Sequence, residues 1–274
     1  MLSYAHESLH RALTTLLDRL DSPAVARAHV IRWGCPVPAF GDLASSRVAT
    51  LGLNPSNREF VDDSGKELEG DARRFHTLRS LGLPAWSDVD ARHMRLILDS
   101  CSAYFRRNPY DRWFKRLDYV VSGAGASFYD VSRAAVHLDL IPYATTRKWM
   151  ELTPQQRSAL LDIAGDTLGL LLRDSPVRVL ILNGRSVVEL FQETANVSLD
   201  CSRVEAWSLP RQSGSHVVGL AYAGVVSKLA GVRLANDILI LGYNHNLQSS
   251  YGVTSAVVTA IRTWISRATT EFGQ

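Results

Sequence analysis

The sequence has few cysteines, little excess of charge of either sign and no long hydrophobic run. Its three cysteines, Cys35, Cys101 and Cys201, lie far apart in a chain of 274 residues. An odd, scattered count argues against a disulfide framework and against a structural zinc site, whose ligands normally come in close pairs. No apolar run approaches the ~20 residues that span a bilayer, and residues 1–20 lack the order of a secretion signal. We therefore expect a cytoplasmic protein with no membrane partner.

The composition is that of an ordinary globular protein. Hydrophobic residues make up 46% and charged residues 21%, which excludes intrinsic disorder, coiled coil and collagen. The net charge is +3, so the surface is compatible with a polyanionic partner without requiring one. Walker A, GxGxxG, HExxH and GxSxG motifs are all missing. No sequence motif therefore indicates phosphate-loop nucleotide hydrolysis, dinucleotide binding, zinc proteolysis or a hydrolase with a nucleophile elbow.

Short apolar runs alternate with helical patterns along the chain. Runs typical of buried strands cover residues 48–53, 136–141, 177–182, 217–222 and 238–241. Helices are predicted over residues 5–20, 73–81, 90–106, 110–121 and 153–173, from the turn at 183–186 through Phe191, and over 254–267. This alternation predicts an α/β fold, a three-layer α/β/α arrangement with a mostly parallel central sheet of four or five strands and an N-terminal helical extension. We expect a single domain over residues 1–274, with the N-terminal helix and lead-in over 1–44 and the α/β core over 45–267.

Ligands of such sheets bind beyond the carboxyl ends of the strands. The first strand is followed there by Gly52-Leu53-Asn54-Pro55-Ser56. This segment resembles the water-activating motif of the uracil-DNA glycosylase superfamily, close to the GINPG and GMNPG forms of its mismatch-specific and single-strand-selective branches. The helix predicted over 73–81 is similar to an NRFW-containing helix of the mismatch-specific branch. Residues 245–252, HNLQSSYG, fall where the superfamily has its HPSPLS-type loop, although His245 lacks the following proline.

The resemblance implies a monofunctional DNA glycosylase that flips out a base and hydrolyses its N-glycosidic bond, leaving an abasic site. Asn54 would position the water, since an amide orients water but is not a base, and His245 would donate a hydrogen bond to the leaving base. Asn54 as a turn cap and His245 as a backbone-bonded loop residue remain the alternatives. Asp62 and Asp63 are alternative candidates for a true general base.

The middle strand carries the residues predicted to read the base. His137 and Asp139 share one face of it, where the resembling enzymes carry an asparagine that reads uracil. An ionised aspartate only accepts hydrogen bonds, so it suits the exocyclic amino group of cytosine. If an apolar setting kept Asp139 protonated, it could instead donate a hydrogen bond to the base. A cytosine-specific enzyme would destroy its host's DNA, so we expect a modified cytosine, such as the glucosylated hydroxymethylcytosine of phage DNA that anti-phage members of the superfamily remove. A buried ion pair of Asp139 with Arg147 or Lys148 is the alternative.

Further residues are candidates for contacts with DNA. Phe60 is predicted to stack on the flipped base, whereas Phe75 suits a helix core. Leu247 and Gln248 are candidates for the wedge that fills the gap left in the duplex. The residues expected to contact the phosphate backbone are Ser56, Arg58, Arg147, Lys148, Arg185, Ser186, Ser249 and Ser250.

Other functions remain open at this stage. The chain could repair uracil or another deaminated base, bind DNA without catalysis, or act on free nucleosides. DNA is the expected partner and a monomer the expected state. No metal or organic cofactor is expected, because this hydrolysis needs only water and fixed dipoles.

Overall fold

The computed structural model describes residues 4–20, 22–106, 110–210, 216–248 and 252–273. The strands are β1 (Val48–Gly52), β2 (Ala135–Asp139), β3 (Val179–Asn183), β4 (Asp200–Arg203), β5 (Leu209–Pro210), β6 (His216–Val217), β7 (Leu220–Leu229) and β8 (Val232–Tyr243). The helices are α1 (Tyr4–Arg19), α2 (Pro23–Arg27), α3 (Leu78–Leu81), α4 (Ala91–Ser102), α5 (Asp111–Val121), α6 (Pro154–Ala164), α7 (Thr167–Leu172), α8 (Arg185–Ala195) and α9 (Ser255–Phe272).

Six of these strands form one sheet in the order β2-β1-β3-β8-β7-β4. Strands β2, β1, β3 and β8 run parallel, whereas β7 is antiparallel to β8 and β4 is antiparallel to β7. The predicted α/β class and mostly parallel sheet are confirmed. The predicted number of strands is wrong, because within the described ranges the sheet has six rather than four or five.

The parallel strands are buried and their carboxyl ends are aligned. Every residue of β2 and β3 is buried, as is all of β1 except Gly52. Covered strands of this kind need a nearly continuous apolar run, which explains why the sequence reveals them. In the sheet register Gly52 pairs with Asp139, and Asn183 pairs with Tyr243. The residues that follow these strands therefore leave the same edge of the sheet.

Two predicted helices differ in the structure. The helix expected over 73–81 begins only at Leu78, because Thr77 acts as its N-cap and accepts a hydrogen bond from the Ser80 amide. Gly82, at φ 69°, ends it in the left-handed region. The helix expected over 153–173 is divided into α6 and α7, with Gly165 and Asp166 between them.

The first helix packs into the core of the protein. Leu13, Leu16 and Leu17 of α1 are buried, and the Tyr143 hydroxyl donates a 2.9 Å hydrogen bond to the Leu16 carbonyl. Arg19, at the end of α1, forms a 2.7 Å ion pair with Asp166. These contacts join α1 to the segment after β2 and to the α6–α7 junction. Among the helices in the described ranges, none is both long and apolar enough to cross a bilayer.

Candidate active site

A cavity of about 560 Å³ lies at the carboxyl ends of β1, β2 and β3. This volume is within the range of ligand pockets in proteins. The polar residues that line it are Asn54, Ser56, Glu59, His137, Asp139, Asn183, Arg185, Ser186, Asn244 and Asn246, and its aromatic residues are Phe40, Tyr110, Trp113, Phe114 and Trp149. The sheet thus brings together Asn54, His137 and Asp139, which the sequence predicts as site residues.

The orientation of the Asn54 amide is fixed by its neighbours. Its Nδ2 donates to Thr145 Oγ1 at 2.9 Å and to the Pro55 carbonyl at 3.2 Å. The Thr145 hydroxyl donates its only hydrogen to the Arg147 carbonyl at 2.7 Å, so it can only accept from Asn54. The nitrogen of Asn54 must face Thr145. Its Oδ1 is the end of the amide that remains to accept a hydrogen bond from a water or a ligand.

His137 and Asp139 form a polar pair on the adjacent strand. Nε2 of His137 lies 3.5 Å from Oδ1 of Asp139, and its Nδ1 lies 2.7 Å from the hydroxyl of Thr50 on β1. Both side chains are at least 95% buried. Arg147 and Lys148 are exposed and line no part of this cavity, so the alternative ion pair of Asp139 with these cations is not present.

Gly52 makes room for this pair. A Cβ at position 52 would overlap Asp139 Oδ1 and would lie 2.9 Å from His137 Nε2. Real Cβ contacts are essentially never this short, so only glycine fits here without a shift. The glycine of the GLNPS segment is therefore required by the carboxylate of the neighbouring strand, and its φ angle plays no part.

Aromatic rings form one wall of the cavity. The rings of Phe40, Trp113 and Phe114 lie 5.5, 5.4 and 5.4 Å from the imidazole of His137. Flat apolar surfaces of this kind can stack on a planar ligand. Trp113 and Phe114 come from α5, which was predicted only as a helix over 110–121, and their place at the cavity depends on tertiary contacts.

The prediction that Phe60 stacks on the base is wrong. Phe60 is 2% exposed, packs against Trp33 and Phe75 at centroid distances of 6.0 and 5.9 Å, and does not line the cavity. Its ring also fills the space beside Gly34, where a Cβ would lie 2.7 Å from it. Phe60 belongs to the core with Phe75, because the turn after Pro55 directs it inward.

The prediction that His245 faces a leaving base is also wrong. His245 is 1% exposed and does not line the cavity. Its Nε2 lies 2.6 Å from the Trp207 carbonyl, which can only accept, so this nitrogen carries a hydrogen and donates it. Burial lowers the pKa of the imidazole, although the Trp207 bond opposes that shift. The neighbours Asn244 and Asn246 line the cavity instead.

The two predicted wedge residues are held by the protein itself. Leu247 is completely buried, and its amide donates to Asn183 Oδ1 at 3.3 Å. Gln248 accepts a 2.8 Å hydrogen bond from Asn183 Nδ2 and donates to the Trp113 carbonyl at 3.3 Å. Neither side chain is presented as a wedge in this conformation. Asn183 uses its two amide ends to hold both residues of the loop after β8 at the end of β3, and Gln248 also joins this loop to α5.

The residues predicted to contact DNA fall into two groups. Ser56, Arg185 and Ser186 line the cavity and are exposed. The others that the structure describes do not line it: Arg58, Arg147 and Lys148. Ser249 and Ser250 lie outside the described residues.

The alternative bases in the next loop do not reach the cavity. Asp62 accepts hydrogen bonds from Ser64 and from the Lys66 amide, and these bonds lower the pKa of its exposed carboxyl. Asp63 forms an ion pair with Arg58. Neither lines the cavity, so the prediction that one of them is the base loses its geometric support.

Glu59 is a cavity residue that sequence reasoning missed. It is 3% exposed, and its Oε1 accepts a 2.8 Å hydrogen bond from the Tyr104 hydroxyl. Burial raises the pKa of Glu59 to about 7, with Asp139 adding to the rise, while the Tyr104 bond and Arg74 lower it. Its position five residues after Asn54 was the available signal. In the sequence alone, an acidic residue between Arg58 and Phe60 cannot be told from an ordinary surface residue.

The described residues contain no group of three or more His, Cys, Asp and Glu side chains placed to hold a metal ion. Comparison of the sequence with known protein families and with curated proteins finds no match. The geometry of the cavity is therefore the basis on which a function can be inferred.

Proposed function

We propose that this protein is a DNA glycosylase that hydrolyses the N-glycosidic bond of a flipped base, with a modified cytosine as the favoured substrate. The observation that carries the proposal is the position of Asn54. Its amide is fixed by Thr145, and Oδ1 accepts no hydrogen bond from the described residues, in a cavity that also holds His137, Asp139 and an aromatic wall. A water acceptor, polar groups for a base edge and stacking surfaces are the parts that such a hydrolase needs.

In this proposal each part of the cavity has one task. Asn54 Oδ1 holds the water that attacks the sugar, and the rings of Trp113 and Phe114 contact the faces of the extruded base. Asp139 accepts a hydrogen bond from the exocyclic amino group of cytosine, a donor that uracil lacks. Arg185 and Ser186 at the exposed rim contact phosphates and set the position of the strand without reading its sequence.

The proposal also covers the layering of the fold, the number of domains, the cellular compartment and the biological role. Helices α7, α8 and α9 all contact β8, which supports a three-layer α/β/α arrangement built as one domain, with α1 as the N-terminal helical element. The cysteines Cys35, Cys101 and Cys201 are all free thiols, which suits a reducing cytoplasm. Removal of glucosylated hydroxymethylcytosine from phage DNA is the biological role that fits this substrate, as in the superfamily that the GLNPS segment resembles.

The test is release of a free base from defined DNA. Single- and double-stranded oligonucleotides would each carry one cytosine, hydroxymethylcytosine, glucosylated hydroxymethylcytosine or uracil, and mass spectrometry would detect the base. We expect release of a modified cytosine. Asn54→Ala should lower the rate about 100-fold, the scale for losing a positioning group, while Asn57→Ala, a nearby asparagine that does not line the cavity, should have little effect.

Other results would identify other functions. Release of uracil alone would assign the protein to repair of deaminated bases and remove the role given to Asp139. Tight binding of DNA without an abasic product on any substrate would indicate a binding module. Release of a base from mononucleosides but not from DNA would indicate a nucleoside hydrolase.

A further inference from the structure

We propose that Glu59 is the catalytic base that accepts a proton from the water held by Asn54. This inference rests on the proposed hydrolysis and adds a group that the GLNPS resemblance does not supply. An amide such as Asn54 orients water but cannot take up its proton near neutral pH. A hydrolysis that begins from water therefore benefits from a nearby carboxylate.

The position of Glu59 supports this role. It lines the same cavity as Asn54 and Asp139, at the end of the 3₁₀ turn Asn57–Glu59 that follows the GLNPS segment. Ser56 begins that turn by accepting a hydrogen bond from the Arg58 amide, so Asn54 and Glu59 are held on one short, ordered piece of chain. Reacting groups fixed in this way avoid much of the entropy cost of bringing them together.

The two oxygens of Glu59 differ in their partners. The hydroxyl of Tyr104 holds Oε1 at 2.8 Å. Oε2 is buried and accepts no hydrogen bond within the described part of the chain, and Arg74 Nη1 lies 4.0 Å from it. Leaving a buried carboxylate oxygen without a donor is destabilising, so an unfilled acceptor of this kind calls for an explanation. Oε2 is the atom that remains to take up a proton, and because the protein covers it in this conformation, a rotation of the Glu59 side chain into the cavity that it lines must first bring it to the water.

The charged and titratable groups around Glu59 come from several elements. Tyr104 and Arg74 favour its carboxylate form, whereas Asp139 on β2 and burial favour the protonated form, and Tyr110 also interacts with it electrostatically. The balance raises the pKa of Glu59 to about 7. A general base works best when its pKa is close to the operating pH, because it is then both ionised and basic.

The proposed step balances as follows. The water oxygen forms a bond to C1′ of the sugar while one of its hydrogens moves to Glu59 Oε2. The bond from C1′ to the base nitrogen breaks, and its electron pair leaves with the base. The proton then passes from Glu59 to the departing base, which leaves neutral, and the carboxylate is restored. Asn54 Oδ1 holds the second hydrogen of the water throughout.

The test measures the single-turnover rate of base release against pH. For the wild-type protein we expect the rate to rise with pH, with a midpoint near 7, and then to level off. Glu59→Gln, which preserves an acceptor for Tyr104, should lower the rate about 10²–10⁴-fold and remove the rising limb. It should keep the affinity for DNA. Glu69→Gln, an exposed carboxylate paired with Arg79 outside the cavity, is the matched control.

A second variant separates catalysis from structure. Tyr104 is a positioning residue, and Tyr104→Phe removes a hydrogen bond that lowers the pKa of Glu59. The midpoint should therefore move to higher pH. An unmoved midpoint would overturn the inference even if Glu59→Gln failed to fold.

The remaining outcomes are also decisive. A wild-type rate that falls as pH rises through 7 would show that the protonated form of the titrating group is the active one. This result would overturn the role of Glu59 as a base. Equal rates and profiles for wild type and Glu59→Gln would overturn this inference alone. No base release by the wild type from any DNA would overturn the proposed function, and this inference with it.

Discussion

Gly52 and Asp139 are register partners on β1 and β2, and Oδ1 of Asp139 occupies the place of any Cβ at position 52. Gly52→Ala should therefore displace the Asp139 carboxylate and lower base release strongly. Overpacking of this kind also costs about 1–3 kcal/mol of stability. Single-turnover rates and thermal unfolding would measure the two effects. Gly165→Ala, in helical backbone with its nearest neighbour atom at 3.4 Å, is the control, and equal activity of the two variants would contradict the role of Asp139.

The bond between Thr145 and Asn54 predicts a smaller effect. Thr145→Val keeps the volume of the side chain but removes the hydroxyl that fixes the Asn54 amide at 2.9 Å. We expect the rate of base release to fall about 10-fold, the equivalent of one hydrogen bond worth ~1–1.5 kcal/mol. Thr146→Val, at an exposed neighbouring position, should leave the rate unchanged. A full rate in Thr145→Val would show that the amide needs no such support.

His245 should matter for stability rather than for chemistry. His245→Ala leaves the Trp207 carbonyl without its 2.6 Å donor, so the free energy of unfolding should fall by about 1–3 kcal/mol. The rate of base release by the folded fraction should remain close to that of the wild type. Asn246→Ala, at the adjacent position that lines the cavity, should show the reverse pattern. A large loss of rate with unchanged stability in His245→Ala would contradict this prediction and support a catalytic role for the imidazole.

Glu59 predicts a pH dependence of stability that needs no substrate. The folded protein holds its pKa at about 7, above the ordinary value of 4.5. Below pH 4.5 the group is protonated in both states and contributes nothing. As pH rises to 7, the unfolded chain ionises first, so the folded state loses up to about 3 kcal/mol. Urea unfolding at pH 4.5, 6 and 8 should show Glu59→Gln gaining stability over wild type as pH rises. A constant difference would exclude the raised pKa.

Arg185 predicts the salt dependence of DNA binding. It is exposed at the rim of the cavity and pairs with Glu189 at 2.6 Å. Arg185→Ala should weaken binding alike for different DNA sequences and reduce the slope of log affinity against log salt by about one. Fluorescence anisotropy at several salt concentrations would measure both. The control is Arg203→Ala, because Arg203 on β4 forms a similar surface pair with Glu205. Identical salt slopes for Arg185→Ala and the wild type would exclude a phosphate contact at Arg185.

The sequence predicted the buried parallel strands well because burial on both faces leaves a continuous apolar run. It missed β4, whose residues Asp200–Arg203 are all exposed and show no apolar pattern. It also underestimated β7 and β8, which extend beyond their buried parts as a hairpin with alternating exposure. Strands at the outer side of a sheet are fixed by pairing, which local composition does not record.

The sequence predicted those site residues that lie on the strands or directly after them. Asn54, His137 and Asp139 follow from the strand positions and the period of two. The direction of a loop side chain does not follow from either, and so His245 was assigned to the place that Asn244 and Asn246 occupy. Trp113 reaches the cavity through the packing of a separate segment, a relationship that no single stretch of sequence contains. Glu59 is close to Asn54 in the sequence, but its burial depends on contacts with distant residues such as Tyr104.

The pairing of β1 with β2 also determines where the chain can change in length. Inserting or deleting one residue within β2 would turn Asp139 to the opposite side of the sheet, and the same change within β1 would shift Gly52 and Asn54 out of register with it. The surface turn at Ser64–Gly65 between these strands is free of that constraint, since Gly65 has open space around it. Related proteins can thus be expected to differ in the size of this turn while keeping the spacing within the two strands.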